Sequence, residues 1–180
     1  MKLSTLSILL GVGMALPQIY ALANPKGFTA SARAFPRSIM WGYLLMALAT
    51  GWFLYNVNAE EIADFATIKR GLMFAFGAIG IGTCLYVSDF LAIRGLAILM
   101  MLLAKTIVDT ARWHESDWRL VLISWAYLMV LGGMWLTISP WRARDLIQWG
   151  TATESRLKML SGIRLAFALL LVVLGVVVFK

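Results

Sequence analysis

The sequence predicts an all-α, polytopic membrane bundle of about six transmembrane helices, on three observations. The chain is 61% hydrophobic and only 14% charged over 180 residues, whereas soluble domains are roughly 45–50% apolar and about 25% charged. Its apolar residues gather into six runs of bilayer-crossing length, which takes roughly 20 residues. Its charges lie in the short segments between those runs. A soluble core of this size has too little volume to hide so much apolar surface, and hydrocarbon supplies the missing solvent.

The runs fall at residues 4–23, 38–57, 71–87, 90–111, 120–139 and 159–179, in one integral membrane domain. The first opens behind Lys2 and ends on Ala21-Leu22-Ala23, the small-x-small pattern of a signal-peptide cleavage site. The third and fourth are separated only by Ser88 and Asp89, which predicts a tight helical hairpin with Ser88 or Asp89 as the N-cap of the later helix. The fifth and sixth enclose a basic loop, residues 140–158.

Loop charge sets the expected topology. Loop one (24–37) carries Lys26, Arg33 and Arg37 without an acid, and loop five carries Arg142, Arg144, Arg156 and Lys158. With Arg94 beside loop three, that side holds eight basic residues. The opposite loops hold four, Lys69, Arg70, Arg112 and Arg119, together with Glu60, Glu61, Asp64, Glu115 and Asp117. The positive-inside rule therefore places loops one, three and five in the cytoplasm and both termini outside. Cleavage after Ala23 would leave loop one outside, against this bias, so the first helix is expected to be retained. The formal charge of +7 is accounted for by the same loops meeting anionic lipid, not by nucleic acid. Trp113 and Trp118 flank the fourth loop, and Trp135, Trp141 and Trp149 cluster at the end of the fifth helix, as interfacial aromatic belts do.

The two ends of the chain resemble each other. Gly13-Met14-Ala15-Leu16-Pro17 near the end of the first helix is echoed by Gly133-Met134-Trp135-Leu136 and Pro140 near the end of the fifth. A basic loop and another span follow each, with Arg37 before Gly42 and Lys158 before Gly162. Helices one–two and five–six thus read as a duplicated hairpin around a central hairpin, with recurrence of Gly, Pro and Leu in any membrane protein as the plainer explanation. Over about forty C-terminal residues, Pro140-Trp141-Arg142, Arg156-Leu157-Lys158, Gly162 and Gly175 resemble the uncharacterised YjeT-like two-helix inner-membrane proteins. The glycine spacing of the last helix departs from that pattern. The resemblance implies a bacterial inner membrane and no chemistry.

Lys105, Asp109 and Arg112 follow at i, i+4 and i+7 on one face of the fourth helix. Lys105 lies roughly 10 Å inside the interface marked by Arg112 and Trp113. A lone charge at mid-bilayer costs at least about 2.5–3.5 kcal/mol. The face is therefore either a water-filled path or anion site, or an internal Lys105–Asp109 ion pair with Lys105 snorkelling outward; the pair is favoured. Either way the face is expected to point into the bundle. Arg164, a turn inside the last helix, fits snorkelling or lipid-phosphate contact. Gly71, Ala75, Ala78 and Gly82 form a small-residue stripe for close helix packing against the fourth helix. Gly77, Gly80 and Gly82 lack the strand that a dinucleotide loop requires. Loop five holds an amphipathic segment in which Ala143, Leu146, Ile147 and Gly150 share one face; with Trp141, Arg142, Arg144 and Trp149 it fits the headgroup plane. Phe28, Ala32 and Phe35 give loop one the same character.

No cofactor or metal is expected. His114 is the single histidine and Cys84 the single cysteine, and His114, Glu115 and Asp117 read as an exposed turn. No hydrolase or zinc-protease motif occurs. The leading expectation is a non-catalytic structural or accessory subunit whose partners are membrane lipids and a protein or a second copy, not nucleic acid. The second is a small transporter or channel using the polar face of Lys105, Asp109 and Arg112, which needs a hydrated cavity reaching Lys105. The third is an intramembrane enzyme on a lipid-like substrate, using Asp89, His114 or Arg164.

Overall fold

A computed structural model describes residues 2–60, 68–87 and 89–179. Among these residues there are eight α-helices and no strand. They are α1 (Leu3–Ala23), α2 (Pro25–Ala34), α3 (Ile39–Ala59), α4 (Lys69–Tyr86), α5 (Leu91–Ala111), α6 (Arg119–Ile138), α7 (Trp141–Gly150) and α8 (Glu154–Val173). A 3₁₀ turn, Phe35–Arg37, links α2 to α3, and a π-turn, Leu174–Val178, extends α8. Each of the six apolar runs forms a helix whose ends match the expected ones to within two residues, counting the π-turn with α8, except that α8 starts five residues early. It does so because the Thr153 hydroxyl accepts from the Arg156 amide, and Glu154 and Lys158 then pair at i, i+4 (2.7 Å).

Four helices are long and apolar enough to cross a membrane: α1, α5, α6 and α8 with its π-turn. The α2–α3 pair, bent by 65° at Ser38, counts as a fifth if taken as one span. The bend is built locally, since Ser38 is extended and its hydroxyl accepts from the Trp41 amide. Likewise Asn24 caps α2 through the Gly27 amide (2.9 Å), with Pro25 in the first turn, where its missing N–H costs nothing.

The hairpin cap expected at Ser88 or Asp89 is not the observed one. Ser88 lies outside the described residues. Phe90 stands at the cap position in the left-handed region (φ 56°), with no side-chain cap. The reversal rests instead on backbone, the Ile93 and Arg94 amides donating to the Phe90 carbonyl.

The helices form two packed groups. In the first, α5 is central: α3 runs parallel to it on one side, α6 antiparallel on the other, and α4 packs on the outside of α3. The second group is the antiparallel pair α1 and α8. Contact is backbone-close where glycines allow it. A Cβ on Gly11 would stand 2.6 Å from the Ala168 carbonyl oxygen, one on Gly95 2.8 Å from the Leu45 carbonyl carbon, and one on Gly133 2.9 Å from the Ala97 carbonyl oxygen. Between α1 and α8 the buried Ser7 hydroxyl donates to the Leu171 carbonyl (2.6 Å). The two groups meet in one core, where Leu3, Leu6, Ile107, Leu122, Leu171 and Phe179 are buried together.

Elsewhere the surface is apolar. Ile39, Phe74, Ile138 and Val177 are each exposed by two-thirds or more. Soluble monomers rarely expose contiguous apolar patches beyond a few hundred Å².

Candidate functional site

The loop helices assemble at one end of the bundle. From α2, the Arg33 guanidinium donates to the buried Thr151 at the end of α7, through Nε to the hydroxyl (3.0 Å) and through Nη2 to the carbonyl (2.9 Å). Loops one and five therefore share one platform, and Leu91, opening α5, sits against Gly42 of α3 at the same end. The amphipathic segments expected in both loops are thus ten-residue helices tied to each other. Trp141 and Trp149 are about half exposed. Arg144 pairs with Asp145 (3.1 Å), and the Arg156 guanidinium lies over the Trp149 ring (5.0 Å). Arg142 and Arg164 are exposed.

At the far end, Lys105 is paired twice. Its Nζ lies 2.7 Å from Asp109 Oδ2, as expected of the internal pair, and 3.3 Å from Glu60 Oε1. Glu60 stands at the C-cap of α3, reachable because α3 and α5 run parallel. That partner was not legible in the sequence, where Glu60 reads as a loop acid. Arg112, on the same face, lies beside the Trp113 ring, 6.0 Å from its centroid. One expectation is corrected here: the face is not buried in the bundle, since the Lys105 and Asp109 side chains are 44% and 51% exposed.

Two other far-end cations cap helices. Lys69 donates to the carbonyls of Asn58 and Glu60 at the end of α3, and Arg119 to those of Arg112 and His114 at the end of α5. Positive charge at a helix C-terminus offsets its partial negative charge.

The small-residue stripe is also corrected. Gly71, Ala75 and Ala78 are exposed, and neither Gly71 nor Gly82 has an atom within 4 Å of where a Cβ would stand. The stripe does not meet α5, because α4 packs on α3 through another face. There a Cβ on Gly80 would press on the Thr50 side chain, and Phe76 meets Phe53 edge-on (4.9 Å).

Between α3, α4, α5 and α6 lies a cleft of about 540 Å³. One face of α5 forms its floor: Arg94, Ile98, Met101, Leu102 and Lys105, at i, i+4, i+7, i+8 and i+11. The walls are apolar apart from Thr50, Thr83 and Thr137. Arg94 Nε is buried without a hydrogen-bond partner among the described residues. A cavity does reach Lys105, then, yet between its two basic ends it is apolar.

The remaining polar candidates are scattered. Asp89 is at the platform end and exposed. His114 is at the far end, its ring edge-on to Phe179 (5.1 Å) and its Nδ1 accepting from the Ser116 amide. Glu115 and Asp117 are exposed, and no group of His, Cys, Asp or Glu among the described residues is placed to hold a metal.

The fold and this site define an all-helical protein with apolar helices of membrane-crossing length. No family model, curated protein or solved structure matches the chain.

Proposed function

We propose that the chain is a non-catalytic accessory protein of a bacterial inner membrane, crossing it six times and packing against another membrane protein. The carrying observation is α4. It joins the bundle chiefly through α3 and turns its small-residue stripe outward, with Phe74 81% and Tyr86 88% exposed beside it. In lipid, helices associate where small residues let backbones approach, so a stripe without a partner among the described residues suits one in another chain. Helix direction supports six crossings rather than the four or five that length and composition give. Because α3 and α5 run parallel, α4 must carry the chain back between them. Platform loops bearing the excess of arginine and lysine belong in the cytoplasm. Duplication is supported by span–amphipathic helix–span occurring twice, as α1–α2–α3 and α6–α7–α8. The repeated glycines have diverged, since Gly133 packs tightly where Gly13 packs on nothing, and Gly42 does where Gly162 does not.

A transporter fits less well, because Lys105 is already paired with two carboxylates and, among the described residues, no charged side chain lines the cleft between it and Arg94.

The test is disulfide or maleimide cross-linking in native membranes from Ala78→Cys in a Cys84→Ser background. A discrete adduct with a second protein is the expected result. Adducts of the chain with itself would make the partner a second copy. Monomer alone, at Ala78 and equally at Gly71→Cys and Ala75→Cys, would overturn the reading.

A further inference from the structure

We infer that the cleft between α3, α4, α5 and α6 is a binding site for one anionic phospholipid, its phosphate at Arg94 and an acyl chain along the apolar floor towards Lys105. The inference rests on the chain lying in a membrane, not on what packs against α4.

Charge fixes the polarity of the site. At the far end the Lys105 ammonium is already held by two carboxylates, Glu60 and Asp109, and is not free for an anion. At the platform end Arg94 has no ion pair among the described residues and a buried Nε with nothing to donate to. Nearby hydroxyls do not satisfy it. Thr83 and Thr137, whose hydroxyls donate to the Ile79 and Gly133 carbonyls (2.7 and 2.8 Å), do not accept from that Nε. The antiparallel register that sets Gly133 against Ala97 brings Thr137 level with Arg94. A guanidinium fork matches phosphate oxygens two at a time.

Size and depth agree. Eleven positions of α5 separate Arg94 from Lys105, roughly 16 Å, against a leaflet half of a hydrocarbon core about 30 Å thick. Arg94 lies one turn inside α5, at the depth where a headgroup phosphate meets the first methylenes. About 540 Å³ falls within the roughly 300–1,000 Å³ usual for ligand sites. Free phosphate shares the headgroup chemistry but leaves the apolar floor unfilled.

The test uses the full chain in a neutral detergent, titrated with phosphatidylglycerol, phosphatidylcholine or inorganic phosphate and followed by native mass spectrometry and thermal melting. One phosphatidylglycerol is expected to bind and raise Tm, at least tenfold more tightly than phosphatidylcholine. Arg94→Gln is expected to weaken that binding about tenfold, Arg94→Lys to restore part of it, and Arg37→Gln, at an exposed platform arginine, to leave it unchanged. Ile98→Trp, which fills the floor and keeps Arg94, is expected to abolish it. Equal binding of both lipids, or full retention in Arg94→Gln or Ile98→Trp, would overturn the proposal; so would inorganic phosphate giving the same Tm rise. If Arg94→Gln fails to fold, Arg94→Lys and Ile98→Trp decide.

Discussion

Lys105 illustrates what one charge in an apolar helix requires. At its depth in α5 it is kept by two acids, of which Asp109 lies one turn on and Glu60 comes from another helix. Removing either acid leaves the other, and the pair is half exposed, so Glu60→Gln is expected to cost no more than about 1 kcal/mol. Removing the lysine strands two carboxylates, and Lys105→Gln is expected to cost about 2 kcal/mol. Glu60→Gln added to Lys105→Gln should then recover stability instead of losing more. Melting the three variants in detergent checks this, and simple additivity would show the Glu60 contact to be idle. The i, i+4 half of this arrangement was legible because helix periodicity alone places Asp109 beside Lys105. The Glu60 half was not, because no local rule states which helix end will lie alongside.

At the scale of the helix, glycine position matters more than glycine number. Gly11 and Gly13 stand two residues apart on α1, yet a Cβ at Gly11 would press on Ala168 and Val172 of α8, whereas one at Gly13 meets nothing within 4 Å. Gly11→Ala is accordingly expected to destabilise by about 1–3 kcal/mol through overpacking. Gly13→Ala is expected to stabilise by about 0.5–1 kcal/mol, because alanine has less backbone freedom to lose in a helix. Paired thermal melts in one detergent measure both, and equal effects would contradict the α1–α8 contact. The same distinction explains the misreading of α4. Spacing showed that Gly71, Ala75, Ala78 and Gly82 share a face, but every helix has several faces. Which one meets α3 depended on Phe76 and Gly80 fitting Phe53 and Thr50, a choice made between helices.

Across the whole molecule, the Arg33–Thr151 tie and the parallel run of α3 and α5 gather loops one and five and the start of α5 at one end of the bundle. Cysteines placed on the platform, Ala30→Cys and Gln148→Cys, are expected to react with a membrane-impermeant reagent only after the membrane is opened. Ser116→Cys, at the far end, is expected to react in intact cells. Reaction of Ala30→Cys and Ser116→Cys from the same side would contradict the proposed crossings. The apolar runs, their lengths, the charge of the loops between them and the amphipathic turns within loops one and five were determined by sequence alone, because each follows from bilayer thickness or helical period acting on neighbouring residues. Tertiary structure alone decided that α1 closes against α8, that the stripe on α4 faces outward, that Glu60 completes the Lys105 cluster, and that a cleft runs from it to Arg94. Those depend on which helices lie side by side, and in hydrocarbon that choice rests on shape and a few polar contacts between distant residues, to which local periodicity is blind.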